Sequence, residues 1–224
     1  MTSLQRFPTD PTRDLLHQAG RLLFALLVVT FVAAPAAAQT EDPSGQTQAD
    51  AVEKDAPYVP TTRSVVREML RVAGVSEEDV VFDLGSGDGR IPILAAKEFG
   101  ARGVGIEIDP DLVEKARRKA EMAGVADRVE FRRGDLFKTD LSEATVVTLY
   151  LWPEINVKLR PKLLRALEPG DRIVSHDFRM GDWAPDSTVD AGPGNTGNEV
   201  VYLWTVPETV PDELKDISDE MKEK

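Results

Sequence analysis

The sequence predicts an α/β fold in which helices cover both faces of a seven-strand, mostly parallel sheet. Strand and helix patterns alternate through the middle of its 224 residues, as is typical of parallel sheets. Beyond residue 177 no clear helix precedes the last strand, so we expect an antiparallel last strand with a short hairpin partner. A hydrophobic content of 42% suffices for one buried core.

The strands are predicted from short apolar runs that are bounded by turn residues. In chain order they span 80–84, 103–106, 129–132, 146–151, 172–175 and 199–205, and the hairpin partner falls within 180–198. Glycines 192, 194 and 197 are expected at the hairpin tip.

Four helices are expected between or before these strands. The first carries apolar residues on one face from Val65 to Val72, with Pro60 in its first turn and Gly74 after its end. The others span 91–99, 110–123 and 155–167. Pro110 suits a helix start, because its ring fixes the backbone in a helical conformation and it has no N–H to leave unpaired.

The N-terminal region differs from the rest. Arg6, Arg13 and Arg21 precede an apolar run, and small residues end at Ala38, which predicts a signal peptide over 1–38. An uncleaved membrane anchor through 22–38 is the alternative. Either form would place the domain outside the cytoplasm, and activity in the cytoplasm is the third alternative. We expect a flexible acidic linker over 39–57, the folded domain over 58–207 and a charged, solvated tail over 208–224.

The composition argues against several classes of partner. A net charge of −12 and a pI near 4.7 disfavour nucleic acid, whose phosphates would be repelled. Cysteine is absent, which excludes disulfides and thiolate chemistry. His17 lies before the apolar run, which leaves one histidine in the domain, so no metal site is expected.

The stretch VVFDLGSGDGR, from Val80 to Arg90, predicts a buried strand, a glycine turn and a helix start, an arrangement that binds nucleotide-like cofactors. Its glycine spacing is GxGxG, and Arg90 stands where a dinucleotide fingerprint has its last glycine. This spacing counts against NAD. An acid at Glu107, where the next strand should end, suits both ribose hydroxyls of such a cofactor.

Three stretches, DLGSGDGR, GVGIEIDPDLVEKAR and RGDLF, resemble those of class I S-adenosylmethionine-dependent methyltransferases, which have a Rossmann-like, doubly wound sheet. The resemblance covers about residues 58–206. Within that superfamily, YVPT, TLYLWP and VSHDF resemble the small protein-lysine methyltransferases, a group that includes archaeal enzymes and mitochondrial enzymes acting on the ATP synthase c-subunit. It implies S-adenosylmethionine as the cofactor and a protein lysine as the acceptor.

The resemblance assigns cofactor binding to residues at three successive strand ends. They are Asp83, Gly85, Ser86 and Gly87 in the glycine turn, Glu107 and Ile108 after the second strand, and Asp135 and Leu136 after the third. Glu107 would hold the ribose hydroxyls. Asp135 would accept the adenine amino group, and Leu136 would donate its backbone N–H to the ring. Each acid taken alone suits a cap or turn role equally well.

The predicted binding site for the methyl acceptor lies at the ends of the fourth and fifth strands. Tyr150 and Trp152 would form an aromatic pocket, while His176 and Asp177 are the remaining catalytic candidates, although a lone histidine is more often structural. Tyr58 and Thr61 would border the same pocket. The Asn/Asp-Pro-Pro-Tyr/Phe motif of many amine and amide methyltransferases is absent, which weakens an assignment to nucleic-acid bases.

Two other hypotheses for the function are compatible with the sequence. One is a methyltransferase for small molecules, which the lack of a sizeable inserted substrate domain disfavours. The other is an exported binding module that keeps the fold without catalysis, since export would remove the domain from the compartment where the cofactor is made. In all three readings, membrane contact comes only through an uncleaved N-terminal segment.

Overall fold

A computed structural model describes residues 59–194 and 197–215. The predicted signal or anchor segment, the linker and Tyr58 lie outside these residues, and so does the end of the predicted tail from residue 216 onward. None of the helices in the described part has the length and apolar character needed to cross a membrane.

The sheet has seven strands, as predicted, in the order β3-β2-β1-β4-β5-β7-β6. The strands are β1 (Val80–Leu84), β2 (Arg102–Glu107), β3 (Val129–Arg133), β4 (Val146–Leu149), β5 (Arg172–His176), β6 (Ser187–Pro193) and β7 (Asn198–Thr205). The pairs among β1 to β5 are all parallel, whereas β7 runs antiparallel to both β5 and β6. The predicted fold class is confirmed.

The helices are α1 (Arg63–Val72), α2 (Arg90–Leu94), α3 (Pro110–Ala123), α4 (Pro153–Ala166) and α5 (Asp212–Lys215). The third matches its predicted span, while α2 ends early and continues as one π-helical turn, Ala95–Phe99. Pro60 does not start α1. Thr62 is extended there and its side chain accepts a hydrogen bond from the Val65 N–H, so this N-cap starts the helix three residues later than expected.

Strand alternation divides the buried side chains between two faces. Phe82 and Leu84 pack with Leu159 and Leu163 of α4, whereas their neighbour Val81 packs with α1. Because side chains alternate along a strand, residues 83, 148, 150 and 176 project toward the α1 face. This face therefore collects the predicted polar site residues.

Two glycines of β2 leave room for the close approach of neighbouring segments, α2 at Gly103 and the glycine turn at Gly105. A Cβ at Gly105 would lie 2.5 Å from the Phe131 ring and 2.7 Å from Ser86 Oγ, and one at Gly103 would lie 2.8 Å from Pro92. The glycine turn and α2 can thus settle against β2, which places the turn beside the end of that strand.

The folded domain extends past its predicted end at residue 207. Leu214 of α5 is buried against the α4 side of the core. Arg160, itself buried, donates from Nε to the Leu214 carbonyl at 3.1 Å and from Nη1 to the Met180 carbonyl at 3.0 Å. Leu214 thus departs from the expected solvated tail, because it supplies apolar contact and its carbonyl accepts from a buried guanidinium, whereas its neighbours Asp212, Glu213 and Lys215 are exposed.

Candidate active site

A cleft of about 900 Å³, part of it open to solvent, lies on the α1 face beyond the carboxyl ends of β1, β2 and β4. This edge is where ligands bind in open α/β sheets. Nine predicted site residues line it: Thr61, Asp83, Gly85, Ser86, Gly87, Glu107, Ile108, Leu136 and Tyr150. Asp135, Trp152, His176 and Asp177 do not line it directly.

Glu107 is held firmly at the end of β2. Its Oε2 accepts from the Gly87 N–H at 2.8 Å, and its Oε1 accepts from the Ile108 and Asp109 N–H groups at 2.9 and 3.0 Å. These bonds tie the glycine turn to the second strand. Because each carboxylate oxygen has two lone pairs and three of the four are used, one acceptor place remains on Oε2 for a hydroxyl group of a ligand.

The glycine turn itself presents backbone rather than side chains to the cleft. Gly85 and Gly87 have φ values of +78° and +53°, a region in which other residues are strained. A Cβ at Gly85 would also lie 3.0 Å from the Leu151 side chain. The two glycines therefore leave a smooth cradle into which a ligand can approach the backbone closely.

Asp83 lies buried beneath this turn. Thr148, its partner on β4, donates from Oγ1 to Asp83 Oδ1 at 2.7 Å. Burial raises the pKa of Asp83 to about 7; the Thr148 hydrogen bond opposes this shift, and the charges of Glu107 and Asp88 add to it. The carboxyl is thus poised to ionise when a cation arrives.

An ion-pair cluster next to the turn was missed by the sequence analysis. Buried Asp88 receives two hydrogen bonds from Arg90, each of 2.9 Å, and also contacts the Lys119 ammonium. Arg90 further donates from Nη1 to the Thr61 carbonyl at 2.6 Å. Arg90, read from the sequence only as an obstacle to a dinucleotide, links the turn to the segment that precedes α1.

Asp135 has a different environment from the other predicted acids. Its Oδ1 accepts from the Phe137 N–H at 2.8 Å, and its Oδ2 lies 3.1 Å from Lys138 Nζ. The side chain thus closes its own turn, and its neighbours Gly134 and Leu136 line the cleft instead. The adenine role of Asp135 stays a prediction.

His176 lies just behind the cleft wall. Its ring is buried, with Nδ1 3.3 Å from Thr61 Oγ1 and Nε2 2.6 Å from Oε2 of Glu199. The Tyr150 ring lies against it, with centroids 4.0 Å apart. Burial lowers the pKa of His176, and the charges of Asp177 and Glu199 oppose the shift. The structure thus brings Thr61, Tyr150 and His176 together.

Asp177 has the only positive φ, +60°, among non-glycine residues of the described chain. Its Oδ1 accepts from the Val200 N–H at 2.9 Å, while its own N–H donates to the Val200 carbonyl at 2.7 Å. These bonds hold a strained backbone in place. Its Oδ2 remains 3.5 Å from His176 Nε2.

Aromatic rings continue from the cleft wall to the surface. Phe178 lies 6.1 Å from Tyr150 and 5.8 Å from Trp152 between ring centroids, and Trp152 is 46% exposed. Asn156 of α4 fixes this row, because its Nδ2 donates to the Phe178 carbonyl at 3.3 Å. Phe178 was not predicted as a site residue; its position after VSHD in the predicted loop was the available signal.

Metal ligation finds no support in this part of the chain. Over residues 59–194 and 197–215, no three acidic or histidine side chains are grouped as ligands of a metal ion would be.

The strand order with its antiparallel β7, the glycine turn after β1 and the acid at the end of β2 define a class I S-adenosylmethionine-dependent methyltransferase. Residues 83–187 match the family model of the ANTKMT methyltransferase domain. The chain is 46% identical over 153 residues to a protein-lysine N-methyltransferase of Saccharolobus islandicus (strain REY15A), covering 68% of this chain and 94% of that protein. The chain therefore belongs to the same methyltransferase family as this protein-lysine N-methyltransferase.

Two further relatives extend the comparison. The chain is 37% identical to the ATP synthase C-subunit lysine N-methyltransferase of Xenopus laevis, covering 66% of this chain but only 62% of that protein. A crystal structure described as an RNA methyltransferase from Salinibacter ruber in complex with S-adenosyl-L-homocysteine is 63% identical, with a TM-score of 0.66, and covers 70% of this chain and all of that one. The cofactor is thus S-adenosylmethionine.

Proposed function

We propose that this methyltransferase acts on the side-chain amine of a protein lysine. The observation that carries the proposal is the row of aromatic rings, Tyr150, Phe178 and Trp152, that leads from the surface to the cleft. A lysine side chain is long, apolar along its stem and cationic at its tip, so a row of aromatic rings suits it. The 46% identity to a named protein-lysine N-methyltransferase supports the same acceptor.

The residues around the cleft fit the cofactor in chemical type. Glu107 would accept from a ribose hydroxyl through Oε2, the turn from Gly85 to Gly87 would lie against the methionine and ribose portions, and Asp83 would face the ammonium group. Ile108 and Leu136 would flank the adenine. When bound, the cofactor supplies an electrophilic methyl group on a sulfonium.

The acceptor lysine must reach the methyl group as a neutral amine. The apolar rings of the row desolvate the incoming ammonium, which lowers its pKa. Thr61 lines the cleft and its hydroxyl lies 3.3 Å from His176 Nδ1, so the pair offers a path by which a proton can leave the amine. Orientation and local charge then dominate the transfer, because it is an in-line displacement.

RNA is the second candidate acceptor, because the 63% identical protein from Salinibacter ruber is described as an RNA methyltransferase. The charge of this chain disfavours it. A net charge of −12 repels phosphate groups.

The test supplies tritiated S-adenosylmethionine and three acceptor pools from cells that lack the gene: nuclease-treated protein, protein-free RNA and small metabolites. We expect label on lysine residues in the first pool, located by mass spectrometry. Glu107→Ala is the control, because removal of its carboxylate weakens cofactor binding and should abolish the labelling. Label confined to RNA or metabolites would show that the acceptor is wrong.

We also propose that the N-terminal segment 1–38 exports the domain, either as a cleaved signal peptide or as an anchor. The support is its basic lead, apolar run and small residues before Gln39. Sequencing the N-terminus of the mature protein from fractionated cells tests this. A chain that begins at Met1 and is recovered in the cytoplasm contradicts export.

A further inference from the structure

Glu199 is a fully buried carboxylate on β7 that no motif singled out. Its Oε2 lies 2.6 Å from Nε2 of His176, and both side chains are 1% exposed. A methyl group at Gly194 would overlap the Glu199 carboxyl group, so the hairpin backbone covers this side chain. Buried acids are uncommon and expensive in free energy, and this one lies behind the acceptor end of the cleft.

Glu199 lies against one of the two ring nitrogens of His176. Nε2 faces two carboxylates, Glu199 at 2.6 Å and Asp177 at 3.5 Å. An ionised carboxylate only accepts, so Nε2 would carry a proton opposite these two groups. The other ring nitrogen, Nδ1, then accepts from the Thr61 hydroxyl at 3.3 Å. The orientation of the ring is therefore set from β7.

The His176–Glu199 pair reaches the cleft through two wall residues. The Tyr150 ring stacks on His176 with centroids 4.0 Å apart, and Thr61 faces its Nδ1. The carboxyl groups of Asp177 and Glu199 both lie behind this wall, next to His176. The pKa of Tyr150 is raised, first by burial and then by the charges of Asp177 and Glu199.

We propose that Glu199 is a positioning residue for methyl transfer, which orients Tyr150 and Thr61 through His176 and makes this end of the cleft electronegative, so that it selects an amine acceptor. The inference rests on the proposed lysine acceptor. The acceptor nitrogen, having lost one proton, bonds to the methyl carbon as the carbon–sulfur bond breaks and its electron pair stays on sulfur. The nitrogen thereby gains the positive charge, which nearby carboxylates stabilise.

The test compares Glu199→Gln, Glu199→Asp and Glu208→Gln, the last being an exposed acid just beyond the same strand. Affinity for S-adenosylmethionine is measured by calorimetry, and lysine labelling by initial rates on nuclease-treated protein from cells that lack the gene. We expect Glu199→Gln to keep its affinity within about twofold and to lose about tenfold or more of the rate. Glu199→Asp should recover part of that loss, and Glu208→Gln should match the parent.

An equal rate for the parent and Glu199→Gln, with lysine labelled by both, would overturn this inference and leave the proposed function standing. A parallel loss of cofactor affinity and rate that Glu199→Asp does not restore would show a merely structural role. If the parent labels RNA instead of lysine, the proposed function and this inference both fail.

A second measurement needs no acceptor and no variant. The chain has two histidines, so ¹⁵N imidazole spectra of the parent protein are simple to assign. We expect the His176 proton on Nε2. A proton on Nδ1 alone would contradict the role given to Glu199, because Nε2 would then have no proton to donate.

Discussion

Asp83→Asn should stabilise the fold while it weakens cofactor binding. Asp83 is buried, its pKa is raised from 3.8 to about 7, and Thr148 donates to it. An asparagine keeps an oxygen that accepts from Thr148 and carries no charge to desolvate. The aspartate at position 83 is therefore explained by function and not by stability. An ionised carboxylate can bind the ammonium of the cofactor, and an amide binds it less well.

The magnitude follows from the two pKa values. A folded-state pKa about 3 units above that of the unfolded chain corresponds to about 4 kcal/mol of destabilisation at pH 8. The folded carboxyl keeps a proton that the unfolded chain releases, so the free energy of unfolding of the parent falls as the pH rises from about 4 to about 7. Between pH 5.5 and 7 the advantage of Asp83→Asn should grow by about 2 kcal/mol and then level off.

Urea denaturation of the parent and Asp83→Asn at half-unit steps from pH 5.5 to 8 measures this difference, and Glu143→Gln serves as the control for removal of an exposed acid. Calorimetry at pH 5.5 to 7 adds the ligand: affinity of the parent should rise about tenfold per pH unit, since the cofactor's amine stays protonated there and Asp83 must ionise. A stability difference that does not change with pH would refute the reasoning.

Three further variants test other contacts. Arg90→Met removes both hydrogen bonds to buried Asp88 and the one to the Thr61 carbonyl. It should weaken cofactor binding about tenfold and expose the segment before α1 to limited proteolysis. Unchanged affinity and cleavage would contradict the link from the glycine turn to this segment. Gly105→Ala should lower the free energy of unfolding in urea by about 1 to 3 kcal/mol, because its Cβ would meet the Phe131 ring. Trp152→Ala, at an exposed site, should leave stability and cofactor affinity unchanged but slow lysine labelling; an unchanged labelling rate would remove Trp152 from the acceptor site.

Local signals explain what the sequence predicted well. The bounds of α3 were correct because Asp109 caps its start, Pro110 occupies its first turn and Gly124 adopts a left-handed conformation at its end. The glycine turn was also predictable from the sequence, since the positive φ angles at Gly85 and Gly87 favour glycine. These features depend on residues that are close in the chain.

Long-range contacts explain what the sequence did not show. Glu199 meets His176 only because β7 runs antiparallel beside β5, a register that no motif encodes. Asp88 and Arg90 sit in a familiar glycine pattern, yet their link to Thr61 depends on where α1 begins. The packing of Leu214 could not be predicted either, because it is a single apolar residue among charged neighbours and its contacts with the core are distant in the chain.

The most direct test of the central claim is to map the transferred methyl group itself. The parent and Glu107→Ala are incubated with isotopically labelled S-adenosylmethionine and with the protein, RNA and metabolite pools side by side. The structure predicts label on lysine side-chain nitrogens with the parent alone. Label on RNA bases, or equal lysine labelling by Glu107→Ala, would contradict the claim.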